Sequence, residues 1–204
     1  MRSRLALTAA LGLALAFGAQ LCGSTPASAG SAAGVRGFGG AYSLGAPTTA
    51  LNAPLVGIAA DPKGTGYWLL GQDGGIFSYG SARFHGSTGA LHLNQPVVGI
   101  AATPSGRGYW LVASDGGIFS FGDARFHGST GAMLLNSPIV GMASTPNGRG
   151  YWLVASDGGI FTFGNARFHG STGTFPIGSA VVGITTTPSG RGYWTAAADG
   201  RVFS

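Results

Sequence analysis

Three observations predict an all-β fold, a four-bladed β-propeller of four-stranded blades. A unit recurs every 42 residues, each unit holds four short apolar runs, and hairpin-type turns separate the runs. The Tyr-Trp pairs Tyr67-Trp68, Tyr109-Trp110, Tyr151-Trp152 and Tyr193-Trp194 mark the period. Residues 97–138 and 139–180 agree at 30 of 42 positions.

In the unit 97–138, the first run is Val97–Ala102, stopped by Thr103-Pro104-Ser105-Gly106. It mixes β-branched residues with Gly and Ala, which suits strands crowded around an axis. The second run, Tyr109–Ala113, ends at Ser114-Asp115-Gly116-Gly117. Asp-Gly between two β-type runs predicts a two-residue type I′ hairpin, with positive φ at both central positions. The third run, Ile118–Phe121, stops at Gly122-Asp123. Aromatics concentrate on runs two and three, where blades fan apart and volume must be filled. The fourth run, Arg125–Gly128, precedes a longer loop ending at Pro138. The runs are nearly continuously apolar, as expected of sheets covered on both faces.

The ends of the repeat region complement each other. Arg201–Ser204 aligns on Gly117–Ser120, so the last unit lacks the end of its third run and its whole fourth run. Residues 38–45 align on 121–128 and supply the missing part. The expected order is a closing strand and loop at 38–54, then blades at 55–96, 97–138, 139–180 and 181–204. Residues 38–45 complete the last blade and close the ring, which removes an open sheet edge. A monomer is expected; the alternative is two chains joined through their complementary ends into a larger ring.

Composition narrows the function. The chain has 204 residues, of which 39 are Gly, with 45% apolar and 8% charged residues. That apolar content argues against disorder, and no Gly-X-Y period supports collagen. Met1–Ala29 reads as a secretory signal peptide: Arg2 and Arg4 lead, Leu5–Leu21 is apolar, and Ala27-Ser28-Ala29 is a cleavage pattern. Residues 30–37 are a linker. Cleavage removes Cys22, the only thiol, so the exported chain is expected to fold without disulfides. No stable membrane insertion is expected after cleavage.

The polar inventory disfavours catalysis. There is no Glu, and six Asp remain. Asp73, Asp115, Asp157 and Asp199 occupy the hairpin turn, while Asp61 and Asp123 stand where other units carry Thr, Ser or Asn. Such residues are interchangeable turn caps, which leaves no pair of acids for general acid–base work. No nucleophile elbow and no P-loop pattern is present. His85, His127 and His169 recur on the fourth run, one per unit, and are read as rim residues facing a neighbouring blade or solvent. Neither a metal site nor a cofactor is expected. The Tyr-Trp pairs are read as blade packing rather than sugar platforms.

The cations carry the binding hypothesis. Arg107, Arg149 and Arg191 recur between runs one and two, in the frame Gly-Arg-Gly-Tyr-Trp, with Thr65 in the first unit. Guanidinium forks suit phosphate and carboxylate. The net charge after cleavage is +3, too small a footprint for nucleic acid. These residues are the expected ligand contacts of a secreted, non-catalytic module for carbohydrate or anionic cell-wall polymer. A protein–protein scaffold is the alternative, and an enzyme comes third.

The segment GYWLVASDGGIFSFGDARFHGSTG at 108–131 resembles the repeats of a family of secreted actinobacterial proteins predicted to form β-propellers. The resemblance extends over essentially all of 38–204. More loosely, the repeat is similar to tectonin/tachylectin-type and PQQ-like propellers. The resemblance implies extracellular binding or surface roles and brings no catalytic signature.

Overall fold

The computed structural model describes residues 38–41 and 43–204. The expected leader and linker lie outside the described residues. Twelve strands form four three-stranded antiparallel sheets, and there is no helix among the described residues. The first sheet holds β1 (Leu55–Ala60), β2 (Gly66–Gly71) and β3 (Ile76–Gly80). The second holds β4 (Val97–Ala102), β5 (Gly108–Ala113) and β6 (Ile118–Gly122). The third holds β7 (Ile139–Ser144), β8 (Gly150–Ala155) and β9 (Ile160–Gly164). The last holds β10 (Val181–Thr186), β11 (Tyr193–Ala197) and β12 (Val202–Phe203). This all-β row of repeated sheets fits four propeller blades.

The first three runs of each unit become strands with boundaries within a residue or so of those expected. The turn between runs two and three differs in type. The Gly74 N–H donates to the Gly71 carbonyl at 2.8 Å, and the Gly71 N–H to the Gly75 carbonyl at 2.8 Å. Within this turn only Gly74 has positive φ, at 79°, and among the described residues no non-glycine residue does. The hairpin is thus a tight turn followed by a left-handed Gly, not a two-residue type I′ turn. The carboxylate supports this form: Asp73, a central residue of the turn, accepts at Oδ1 from the Gly75 N–H at 2.9 Å, just beyond the left-handed Gly74. Asp115, Asp157 and Asp199 repeat this bond.

The fourth run is a correction. Each sheet has three strands, and residues 83–86, 125–128 and 167–170 join no ladder. Side chains satisfy this segment instead. Trp110 Nε1 donates to the Arg125 carbonyl at 2.7 Å, and the hydroxyl of Tyr151 donates to the Gly128 carbonyl at 2.6 Å. The same hydroxyl accepts from the His127 N–H at 3.1 Å. The run therefore straps one sheet to the next through an indole and a phenol. Gly128 has φ of 129° and lies against the Phe163 ring, so a Cβ would collide with that ring.

The core lies between sheets. Trp68, Trp110, Trp152, Tyr109 and Tyr151 are fully buried. Each histidine of the fourth run stands between the Trp of its own sheet and the Tyr of the next: His127 is 6.4 Å from Trp110 and 5.6 Å from Tyr151, centroid to centroid. His85 and His169 repeat the arrangement. Backbone bonds add a second joint. The Ser114 N–H donates to the Pro96 carbonyl, and the Ser114 carbonyl accepts from the Ile139 N–H of the next sheet at 2.8 Å.

The inner strands are crowded as expected. A Cβ on Gly99 would sit 3.5 Å from Gly141 Cα. Neighbouring strands β1 and β4, β4 and β7, and β7 and β10 touch, whereas no Cα of β1 lies within 8 Å of β10 in contact with it. The expected pairing of residues 38–45 with the last blade is also absent among the described residues, where β12 pairs with β11 alone. Gly45 instead accepts the hydroxyl of Tyr67 in the first sheet. That bond reproduces those of Tyr109 to Gly86 and Tyr151 to Gly128, which explains the seat.

Candidate binding rim

The loops between the first two strands of each sheet are short, which holds them in register. In the second sheet, the Gly106 N–H donates to the Thr103 carbonyl at 2.9 Å, and the Thr103 N–H to the Gly108 carbonyl at 2.9 Å. Successive loops lie against each other. A Cβ on Gly106 would meet Asp61 Oδ1 at 2.6 Å and Pro62 at 3.2 Å. Gly148 is placed likewise against Pro104, and Gly190 against Pro146, each at 2.8 Å. One rim of the row therefore carries Thr65, Arg107, Arg149 and Arg191 in order, and all four are exposed.

In the first three sheets, hydroxyls and one Asp or Asn side chain brace this rim. Asp123 accepts from Thr103 Oγ1 at 2.9 Å and from Ser105 Oγ at 2.6 Å. In the first sheet the acid stands on the other side: Asp61 accepts from Ser81 Oγ at 2.5 Å, and Ser81 meets Thr65 Oγ1 at 2.7 Å. In the third sheet Thr145 donates to Asn165 Oδ1 at 3.1 Å, and no carboxylate is used. The expected role of Asp61 and Asp123 as local caps therefore widens, because each ties two loops twenty positions apart. Burial raises the Asp123 carboxyl, but the hydroxyls of Ser105 and Thr103 and the charge of Arg107 outweigh it, leaving the group below its ordinary range.

The three guanidinia differ in partners. Arg107 Nε is 3.6 Å from Asp123 Oδ2, and its side chain is 79% exposed. Such an exposed pair contributes little and leaves the fork available. The carboxylate of the second sheet is replaced by Asn165 in the third, and Arg149 and Arg191 form no ion pair among the described residues. Thr65 is engaged with Ser81 and offers no charge. The structure thus brings the three cations to one rim and sets Thr65 apart in chemistry.

A trough of about 500 Å³ runs along the inner strands of all four sheets, with Ile58, Ile100, Met142 and Ile184 among its lining. No charged residue lines it, so an anion is offered the rim and not the axis. Sequence reasoning missed a second repeated surface feature. Phe84, Phe126 and Phe168 on the fourth run are 59%, 61% and 59% exposed. The signal was the Ala-Arg-Phe-His-Gly frame shared by three units, with Ser43 at the matching N-terminal position. Among the described residues no three His, Cys or Asp gather as metal ligands.

No family model and no curated protein matches the chain. Among solved structures, one similar fold is the β-propeller domain of Cps50 (Swd1) from Myceliophteria thermophila. It is 10% identical with a TM-score of 0.47, over 74% of this chain and 50% of that one. The chain spans about half the length of that solved structure.

Proposed function

We propose that this chain is a secreted, non-catalytic binding module for carbohydrate or anionic cell-wall polymer. The contacts are Arg107, Arg149 and Arg191, with Thr65 as the uncharged member. One observation carries the reading: three exposed guanidinia occupy the same position in loops that pack side by side, and two of them have no ion-pair partner among the described residues. A polymer with regularly spaced anions meets several forks at once, and linked weak sites raise apparent affinity. Non-catalytic action is supported by the six carboxylates, each of which accepts bonds from nearby backbone or hydroxyl groups. In this reading residues 38–45 complete the last blade of a propeller, and Met1–Ala29 directs export, in keeping with the resemblance to secreted repeat proteins.

The test is co-sedimentation of the secreted protein with purified cell-wall polymer. Replacing Arg107, Arg149 and Arg191 together with Ala is expected to weaken binding at least tenfold, and binding of the unaltered protein should fall with added salt. Unchanged binding by the triple variant removes the rim assignment. A second reading, an extracellular protein scaffold, is favoured by the exposed Phe84, Phe126 and Phe168. Its mark is a partner that salt does not release and that Phe126→Ala weakens.

A further inference from the structure

In the first three sheets the backbone pins the rim loop to the start of the fourth run. The N–H groups of Ser81, Asp123 and Asn165 donate to the carbonyls of Thr65, Arg107 and Arg149 at 3.0, 3.1 and 3.0 Å. Glycine permits the approach: a Cβ on Gly150 would lie 2.7 Å from the Asn165 nitrogen and 2.8 Å from that of Ala166, and Gly108 is placed likewise against Asp123 and Ala124. A second exposed arginine, Arg83, Arg125 or Arg167, follows two residues after each anchor. Two residues span at most about 7 Å, so this arginine stands beside the rim loop. The indoles of Trp110 and Trp152 hold the carbonyls of Arg125 and Arg167 at 2.7 Å, which fixes the stems. Two guanidinia thus flank one anchor: Arg107 and Arg125 flank Asp123, and Arg149 and Arg167 flank Asn165.

The frame is shared, and the charge beneath the forks is not. In the second sheet Arg107 Nε lies 3.6 Å from Asp123 Oδ2. A Cβ on Gly106 would meet Asp61 Oδ1 at 2.6 Å, so this loop stands between two carboxylates. In the third sheet the counterparts of Asp61 and Asp123 are Thr103 and Asn165, both uncharged. Asn165 accepts from Thr145 Oγ1 at 3.1 Å and donates to Asn147 Oδ1 at 3.1 Å. Asn147 accepts the Arg149 N–H at 3.0 Å in turn. The two amides therefore satisfy each other without a charge, where Ser105 and Asp123 use one. Arg149 and Arg167 form no ion pair among the described residues. Asp157, the only acid in residues 139–180, sits in the hairpin at the far end of β8, about 20 Å away. Phe168, next to Arg167, is 59% exposed, and its neighbours' backbone groups are held by Trp152 and Tyr193.

We propose that the third sheet holds the principal site of the rim, a clamp of Arg149 and Arg167 for the carboxylate of one acidic sugar residue, with Phe168 against the sugar ring. Guanidinium forks take a carboxylate by paired hydrogen bonds, and an exposed aromatic face suits the apolar side of a pyranose. Asn165 determines specificity by keeping both forks free. In the second sheet Asp123 is an internal anion that competes for the same place. A polyol phosphate brings anions but no ring face, so the clamp prefers an acid carried on a sugar. The inference rests on the reading of the rim as an anion site, and adds which sheet binds and what unit it takes.

Calorimetric titration of the protein with oligogalacturonate, which carries a carboxylate on each ring, is the test. Two paired exchanges borrow from the neighbouring sheet and so keep hydrogen-bond sets that the fold already uses. Asn147→Ser with Asn165→Asp puts the second sheet's pair into the third and is expected to weaken binding about tenfold. Ser105→Asn with Asp123→Asn does the reverse, opens a second clamp, and is expected to tighten binding about threefold. Misfolding cannot produce that gain. Phe168→Ala is expected to weaken binding about fivefold, and poly(glycerol phosphate) should bind about tenfold more weakly than oligogalacturonate. No binding of oligogalacturonate, an exchange of either kind that leaves affinity unchanged, or equal affinity for the two polymers overturns the proposal. If the Arg107, Arg149 and Arg191 variant still releases cell-wall polymer in such a case, the rim reading stands and this inference alone fails. A protein that binds no polymer at all removes both.

Discussion

Replacing Tyr109 with Phe removes one oxygen from the joint between the first two sheets. That oxygen donates to the Gly86 carbonyl at 2.6 Å and accepts from the His85 N–H at 3.1 Å. The ring itself is fully buried and stays in place, so no cavity of consequence forms. The loss is that of two backbone groups left without a partner. His85 and Gly86 are half-buried, which puts each group at the low end of the roughly 1–3 kcal/mol cost of an unmet buried polar group. The sum is about 2–3 kcal/mol, or a fall in Tm of about 4–12 °C for a chain of this size. Tyr67 is the internal control. Its hydroxyl donates to Gly45, no N–H among the described residues donates to it in turn, and its ring is less buried. Tyr67→Phe should cost about 1 kcal/mol or less. Urea denaturation of both variants, at one protein concentration because association shifts apparent stability, measures the difference. If Tyr109→Phe costs no more than Tyr67→Phe, the straps are not held by the phenols and the account of the joints fails.

Two further outcomes follow from the same geometry. Gly116 has φ of 77°, and a Cβ there would collide with Thr130 Oγ1, while Gly200, at 90°, has open space around it. Gly116→Ala should therefore cost clearly more than the roughly 1 kcal/mol of left-handed strain expected of Gly200→Ala; equal urea midpoints would refute the close approach. Burial pushes the Tyr109 and Tyr151 hydroxyls above the ordinary value of 10.0, with bonds to His85, Gly86, His127 and Gly128 offsetting part of the rise. The folded state thus holds these protons more tightly than the unfolded chain. Their contribution is fully present below about pH 10 and is lost as pH rises through the folded value. A urea midpoint that is level below that pH and falls above it is expected; a midpoint that rises in alkali contradicts the burial of the phenols.

Local signals were readable without coordinates. Val97–Ala102 becomes β4 with the expected limits, and the Thr103–Gly106 stop becomes a hydrogen-bonded turn. Asp115 caps its hairpin because its carboxylate reaches an N–H two residues ahead. Such features depend on a few neighbouring residues, so the order of the residues contains them. The repeat itself announced the Arg107, Arg149 and Arg191 series, and shared loop packing places all three on one rim.

What the chain order left undecided depends on groups that meet only after folding. Arg125–Gly128 has the composition of a strand, yet Trp110 and Tyr151 claim its carbonyls. An indole and a phenol from two different sheets compete with a ladder there, and only their placement tells which prevails. The matching ends at 38–45 and 201–204 were visible as an alignment and suggested a ring of one chain. The distance between β1 and β10 is the sum of three successive sheet-to-sheet rotations, each set by side-chain volumes at the joints. No run of residues encodes that sum locally, so the tertiary structure alone decided that the two ends stand apart.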